Sequence, residues 1–214
     1  MVSRTRHSGS RRSNSRGVGE ERSSGYRAPI SRWARRGKLR VRFAGTAFRA
    51  HDPRWSWTPL SGEGARLHGG RFNPQGVPAL YLALDLQTAV AEANQGLPFR
   101  MMPPITLVAY EIDCKDLVDL TDAKVLKKHG ATQSDLACAW KLLSEEGDPV
   151  PSWALAEKLR SASAAGAIVP SFSPGAAPEA RNLVLWKWSA DLPHKVLVID
   201  PDNRLPRDGS SWRT

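Results

Sequence analysis

The segment Gly69-Gly70-Arg71-Phe72-Asn73-Pro74-Gln75-Gly76 runs into Ala79-Leu80-Tyr81-Leu82-Ala83 and then into a helical stretch that carries Glu92. It sets an arginine on a glycine-rich bend, a tyrosine on the following strand and a carboxylate one short helix later. Glycine permits positive φ and close backbone approach, so the bend can present Arg71 without obstruction. A guanidinium is a rigid fork of donors matched to phosphate oxygens. A carboxylate suits a sugar carbon that turns cationic as its leaving group departs. Phosphate, ribose and a developing cation together describe a nicotinamide dinucleotide being cleaved.

Each of these residues also has a plainer reading. An arginine in a turn often only holds a loop, and a strand tyrosine is by default a core aromatic with its hydroxyl satisfied at the rim. A glutamate off the apolar stripe of a helix is usually just a helix former. Glu92, however, has the small neighbours Ala89, Ala91 and Ala93, which leave room beside it. Ser171 ends an apolar run in ordinary turn chemistry, and no G-x-S-x-G elbow surrounds it. His51 and His68 flank the segment and raise a rival reading, a ribonuclease-type acid–base pair.

The ordered motifs resemble the RES family. Its core pattern is a GGR-aromatic-Asn bend, a Gly-x-Pro step, a strand tyrosine and a helical glutamate. Here these are Gly69 to Asn73, Gly76-Val77-Pro78, Tyr81 and Glu92. Gly166-Ala167-Ile168-Val169-Pro170-Ser171, with Asn182-Leu183-Val184-Leu185-Trp186 after it, resembles the closing motif, and Phe48-Arg49-Ala50 resembles the opening strand. The match runs from about Phe43 to about Trp188. Phe72 stands where the family more often has tryptophan, a conservative departure.

The resemblance implies an α+β, ADP-ribosyltransferase-like fold: small central β-sheets forming a cleft with flanking helices. It implies NAD as substrate, with no metal. Arg71, Tyr81 and Glu92 are then the catalytic residues, and Arg49, Arg71, Tyr81, Ser171 and Asn182 bind the dinucleotide. It also implies a toxin of a bacterial toxin–antitoxin pair, acting in the cytoplasm as an NAD glycohydrolase, an NAD phosphorylase or an ADP-ribosyltransferase with a protein target. The expected partner is an Xre- or MbcA/ParS-like antitoxin protein. The alternatives are a nucleic-acid-binding or ribonuclease-type toxin that uses the basic N-terminal tail, and a RES-like module that binds NAD without turnover.

Charge distribution bears on the nucleic-acid alternative. The chain has 214 residues and a formal charge of +10. Residues 1–40 hold eleven arginines and Lys38 against Glu20 and Glu21, whereas the remainder holds 19 basic and 19 acidic residues. The excess charge therefore lies in residues 1–40, and the remainder has no net positive charge to favour nucleic acid. Residues 1–37 are rich in Arg, Ser and Gly without a hydrophobic period, which reads as disorder and not as a signal peptide. No stretch approaches the ~20 apolar residues of a membrane span. The two cysteines, Cys114 and Cys138, form no C-x-x-C pair, and the five histidines form no metal-ligand cluster.

The elements that must position the site follow from pattern. We expect a leader over 1–37, a RES domain over 38–200 and a polar tail over 201–214 that frays. Strands are expected at 39–43, 47–49, 79–84, 105–112, 117–120, 167–170, 183–188 and 195–199, with a polar loop over 51–64. Asp85 should cap a helix over 86–95 that turns Leu86, Ala89, Val90 and Ala93 inward and stops at Gly96. Further helices are expected over 122–129 and 134–143, and from a Ser152 cap to about 164, with Gly166 as the stop.

Overall fold

The computed structural model describes residues 39–95 and 103–210. The expectations for the 1–37 leader and for Gly96 as a helix stop lie outside the described residues. Six strands form one sheet: β1 (Val41–His51), β2 (Leu80–Ala83), β3 (Thr106–Asp119), β4 (Gly166–Pro170), β5 (Arg181–Leu185) and β6 (His194–Val198). Their order is β1-β2-β5-β4-β3-β6, and β1 also pairs with β3. The first five strands therefore close on themselves in a ring, and β6 adds to the far edge of β3. This replaces the expected pair of small sheets with one continuous sheet. The α+β class holds.

Alternation along the strands divides the apolar residues between two cores. Leu80, Leu82, Leu183, Leu185, Ile168 and Tyr110 pack inside the ring. Ala79, Ala167, Val169, Val184 and Trp186 face outward. There they pack under α3 (Ala123–Lys128), α4 (Gln133–Leu136) and α6 (Pro151–Ser161). Among the described residues no helix is long and apolar enough to cross a membrane.

Several boundaries differ from the sequence expectation for local reasons. The strands expected at 105–112 and 117–120 are one 14-residue strand, because β3 must serve β1, β6 and β4 along its length. The loop over 51–64 contains a 3-10 turn at Pro53–Trp55 and the start of α1 (Glu63–His68). The helix expected over 134–143 is two, α4 and α5 (Trp140–Glu146), broken across Ala137–Ala139. Asp85 caps α2 (Leu86–Ala93) as expected, accepting from the Thr88 N–H at 2.8 Å. Leu86, however, is 47% exposed, and the buried positions of α2 are Thr88 and Ala89. Within the expected tail the described residues end at Ser210, and the part next to the domain is tied down: Asp200 accepts from the N–H groups of Arg204 and Leu205, and Leu205 packs on the inner core.

Gly166 also has a different role from the one its sequence position suggests. The preceding helix ends at Ser161, and Gly166 opens β4 between Leu117 and Leu185. A Cβ there would stand 2.3 Å from the Val184 carbonyl oxygen and 2.9 Å from Leu185 Cδ2. The close approach of β3, β4 and β5 requires glycine. We expect Gly166→Ala to cost about 1–3 kcal/mol, the range for overpacking a tight interior. The control is Gly64→Ala, where a Cβ meets nothing within 4 Å. Urea unfolding of both variants measures the difference, and equal midpoints would remove the packing role.

Candidate active site

The bend at Gly69–Asn73 is tied to the body of the protein atom by atom. Gly69 has φ of 70°, the left-handed conformation that favours glycine. Gly70 serves by closeness instead, since a Cβ there would meet the Tyr81 hydroxyl at 2.6 Å and Asn73 Oδ1 at 2.8 Å. The Tyr81 hydroxyl donates to Asn73 Oδ1 at 2.7 Å and accepts from the Phe72 N–H at 3.0 Å. Three successive carbonyls of the bend also receive side chains: Gly70 from Trp153 Nε1, Arg71 from Ser152 Oγ and Phe72 from Trp186 Nε1. Ser152, expected to cap α6, therefore anchors the bend from within the helix, and Val150 occupies the cap position.

A pinned bend sends the Arg71 side chain over the Phe172 ring, 4.4 Å from its centroid. Arg71 Nη1 donates to the carbonyls of Cys138 (2.6 Å) and Leu136 (3.2 Å). The first comes from the break between α4 and α5, the second from the last residue of α4. Across the cleft, the half-buried Arg49 donates to the Ser61 carbonyl at 3.1 Å. Burial lowers the pKa of both arginines, with nearby Cys138, Glu92 and Tyr81 partly offsetting this at Arg71 and Tyr110 at Arg49. Arg42, Arg54 and Arg66 each sit on a carboxylate, of Asp113, Asp52 and Glu63. Among the described residues Arg49 and Arg71 form no such ion pair. Carbonyl dipoles satisfy their N–H groups without cancelling their charge, so both remain available to an anion.

Glu92 lines a chamber with both of them and is held by three side chains. Its Oε1 accepts from Ser171 Oγ at 2.6 Å and from Asn182 Nδ2 at 2.5 Å, and its Oε2 accepts from Gln95 Nε2 at 2.5 Å. Gln95 also reaches Ser173 Oγ at 2.9 Å, which ties α2 to the loop after β4. Two chambers, of about 240 and 320 Å³, share Arg49, Tyr81, Glu92 and Asn182 in their walls, and the larger adds Arg71 and Phe172. The smaller is lined from both sides of the seam where β1 and β2 pair only through Phe48 and Ala83.

The six residues expected from the sequence are thus brought to one cleft: Arg49, Arg71, Tyr81 and Glu92 in its walls, Asn182 beside Glu92, and Ser171 on the same carboxylate. Tyr81 differs from the rest in that both hydrogen-bonding directions of its hydroxyl are taken by the bend. Burial also raises its pKa above the ordinary phenol value. Sequence reasoning missed Gln95 and Phe172. Gln95 lies three residues after Glu92, within the helix expected over 86–95 though just past the end of α2, and that spacing could have found it. Phe172 follows Ser171 directly and had no comparable signal.

With this geometry in place, comparison with known proteins is informative. The sequence profile of the RES domain matches residues 46–208. The chain belongs to the RES family. Among solved structures, this RES domain is similar to a chain in the crystal structure of the M. tuberculosis MbcT–MbcA toxin–antitoxin complex. The TM-score is 0.50 at 23% identity, over 73% of this chain and 82% of that chain, a likeness of fold. No curated protein matches the RES chain at a significant level.

His51 and His68, the rival acid–base pair, line a separate cavity of about 530 Å³ that Arg49 joins to the cleft. His51 is buried, and its Nε2 lies 2.7 Å from the Tyr110 hydroxyl, which itself donates to the Pro59 carbonyl. Burial first, and the Arg49 charge second, push its pKa down to about 4. It is therefore neutral at pH 7, and because Tyr110 donates to Pro59 its remaining Nε2–H is held by the Tyr110 hydroxyl, so it is not poised as a general acid.

The same shift bears on stability. Between about pH 6.5 and 4 the unfolded chain protonates this histidine while the folded chain does not, so stability falls as the pH drops through that window. The contribution is roughly 3 kcal/mol at most. In His51→Gln the amide can still donate to Tyr110, and this part of the slope should vanish. Urea unfolding at a series of pH values tests it, and an unchanged slope would refute the buried neutral histidine.

Proposed function

We propose that this RES domain cleaves the nicotinamide–ribose bond of NAD. The observation that carries the reading is the Glu92 carboxylate, fixed by Ser171, Asn182 and Gln95 in a chamber also lined by two arginines that form no ion pair among the described residues. Arg49 and Arg71 would hold the pyrophosphate, with Arg71 exchanging carbonyl contacts for phosphate oxygens. Glu92 would lie against the nicotinamide ribose. The C1′–N bond breaks with its electron pair going to the nicotinamide ring nitrogen, and positive charge spreads over C1′ and the ring oxygen. A fixed carboxylate stabilises that charge most strongly in the transition state, where stabilisation raises the rate. Water, phosphate or a protein side chain then bonds to C1′ and gives up its proton. Tyr81 would act by shaping the cleft wall with its ring. The single sheet with a cleft at an incompletely paired seam is compatible with an ADP-ribosyltransferase-like scaffold.

The purified protein should release nicotinamide from NAD, read by NMR or chromatography with and without phosphate and cell lysate. The three conditions separate hydrolysis, phosphorolysis and transfer. In Glu92→Gln the new Oε1 can still accept from Ser171 and Asn182, so the cleft should stay folded. We expect kcat to fall about 10²–10³-fold with little change in NAD affinity, as when a transition-state electrostatic contact is lost. Full turnover in that variant, or no loss of NAD in any condition, would end this reading.

The biological role follows from the chemistry. NAD is shared by all redox metabolism, so an unrestrained enzyme of this kind arrests growth. The structural neighbour was solved as a toxin–antitoxin complex with MbcA, and this chain is proposed to be a toxin restrained by an antitoxin protein of that kind. Expression in bacteria should stop growth unless the partner is made alongside it, and Glu92→Gln should not stop growth. Growth curves with and without the partner decide it. Equal toxicity of both forms would separate growth arrest from the chemistry, and harmless wild-type expression would remove the toxin assignment.

A further inference from the structure

Three exposed apolar side chains, Trp55 (60%), Trp57 (38%) and Leu67 (52%), gather around the cavity of about 530 Å³ beyond Arg49. It is larger than either chamber at Glu92 and falls within the size range of small-molecule sites. Exposed large apolar groups gathered round one cavity mark a binding surface. Arg49 lines this cavity and both Glu92 chambers, so the three spaces meet at its guanidinium.

Electrostatics narrows the occupant. The two carboxylates on the cavity wall are each engaged by a neighbouring arginine, Asp52 by Arg54 at 2.7 Å and Glu63 by Arg66 at 2.5 Å. The charge left without a carboxylate partner is Arg49, at the junction. A cationic ligand would find no free carboxylate. A flat, neutral ring carrying a phosphate finds indole faces and then a guanidinium. Trp57 is fixed by its Nε1 donating to the Arg54 carbonyl at 3.1 Å and by Gly209 against its ring. Trp55 is the more open of the two.

We infer that this chamber binds the adenylate part of a purine nucleotide, with the base against Trp55 and Trp57 and the phosphate at Arg49. On the function proposed above, it is the adenylate half of NAD. That link rests on the proposed function, whereas nucleotide binding itself does not. Stacking a base on an aromatic ring commonly contributes about 1–3 kcal/mol, or roughly 5- to 150-fold in affinity.

The test titrates the full chain calorimetrically with AMP, nicotinamide mononucleotide and NAD, in wild type, Trp55→Ala and Trp55→Phe. AMP affinity should fall roughly 5- to 150-fold in Trp55→Ala and largely return in Trp55→Phe. NAD affinity, and KM where turnover is seen, should weaken by the same factor. Nicotinamide mononucleotide, which lacks the adenylate half, should move less than about twofold. Because Trp55 is mostly exposed, its loss opens no core cavity, and matching unfolding midpoints confirm this. Unchanged AMP affinity in Trp55→Ala would overturn the inference. Weakened AMP with unmoved NAD would overturn its link to the dinucleotide. Trp55-dependent AMP binding without nicotinamide release would instead sink the enzyme reading and leave the chamber assignment standing.

Discussion

One carboxylate oxygen joins three parts of the chain. Glu92 Oε1 takes a hydroxyl from the exit of β4 and an amide from the start of β5, while its own helix begins two residues after β2. Asn182 pairs with Ala83 on one side and with Val169 on the other, so the donor side chain is placed by two backbone ladders. Its Oδ1 is buried and accepts no hydrogen bond in the structure, which leaves the carboxylate as the one polar contact of that side chain. The arrangement thus fixes the orientation of Glu92, as a site that depends on position requires.

The arginines show a second constraint. A guanidinium neutralised by a carboxylate is a poor anion receptor, and one left bare and half-buried is unfavourable. Carbonyl groups satisfy N–H donors without cancelling the charge. Supplying them requires backbone that is not committed to secondary structure. The break between α4 and α5 frees the Leu136 and Cys138 carbonyls for Arg71, and the loop before α1 frees the Ser61 carbonyl for Arg49. The interrupted helix is therefore part of the site, and a continuous helix over 134–143 would have withdrawn those acceptors.

Much of this was legible in the sequence, for identifiable reasons. The bend, Tyr81 and Glu92 could be read because glycine pairs, strand alternation and an Asp85 cap are local signals. Three further regions were not legible, because tertiary contacts decide them. Ser152 looks like a helix cap, but the Arg71 carbonyl lies within reach of it 81 residues away. Gly166 looks like a helix stop, but the Val184 carbonyl excludes any side chain there. The helix break at 137–139 has no glycine or proline to announce it; Arg71 uses the carbonyls freed there, but nothing in the local sequence points to that. His51 resembled a catalytic group in type and place, and only its burial against Tyr110 shows it to be neutral.

The core and the site are also bound by a single register. Tyr81 pairs with Val184 and Ala83 with Asn182, so Tyr81, Asn182 and Val184 share the face turned to the cleft and the helical layer. Leu80, Leu82, Leu183 and Leu185 necessarily take the opposite face and fill the ring. A slip of one residue would put leucines in the cleft and the polar groups in the inner core, a change that apolar burial strongly disfavours. The leucines thus hold the position of the Glu92 cluster without touching it. At the β1–β2 seam this constraint is relaxed, because the two strands share only the Phe48–Ala83 pair. Full pairing there would have closed the space between Arg49 and Glu92. A ring sealed by hydrophobic register on one side and left unpaired at one seam is what allows a packed barrel-like sheet to contain a polar cleft.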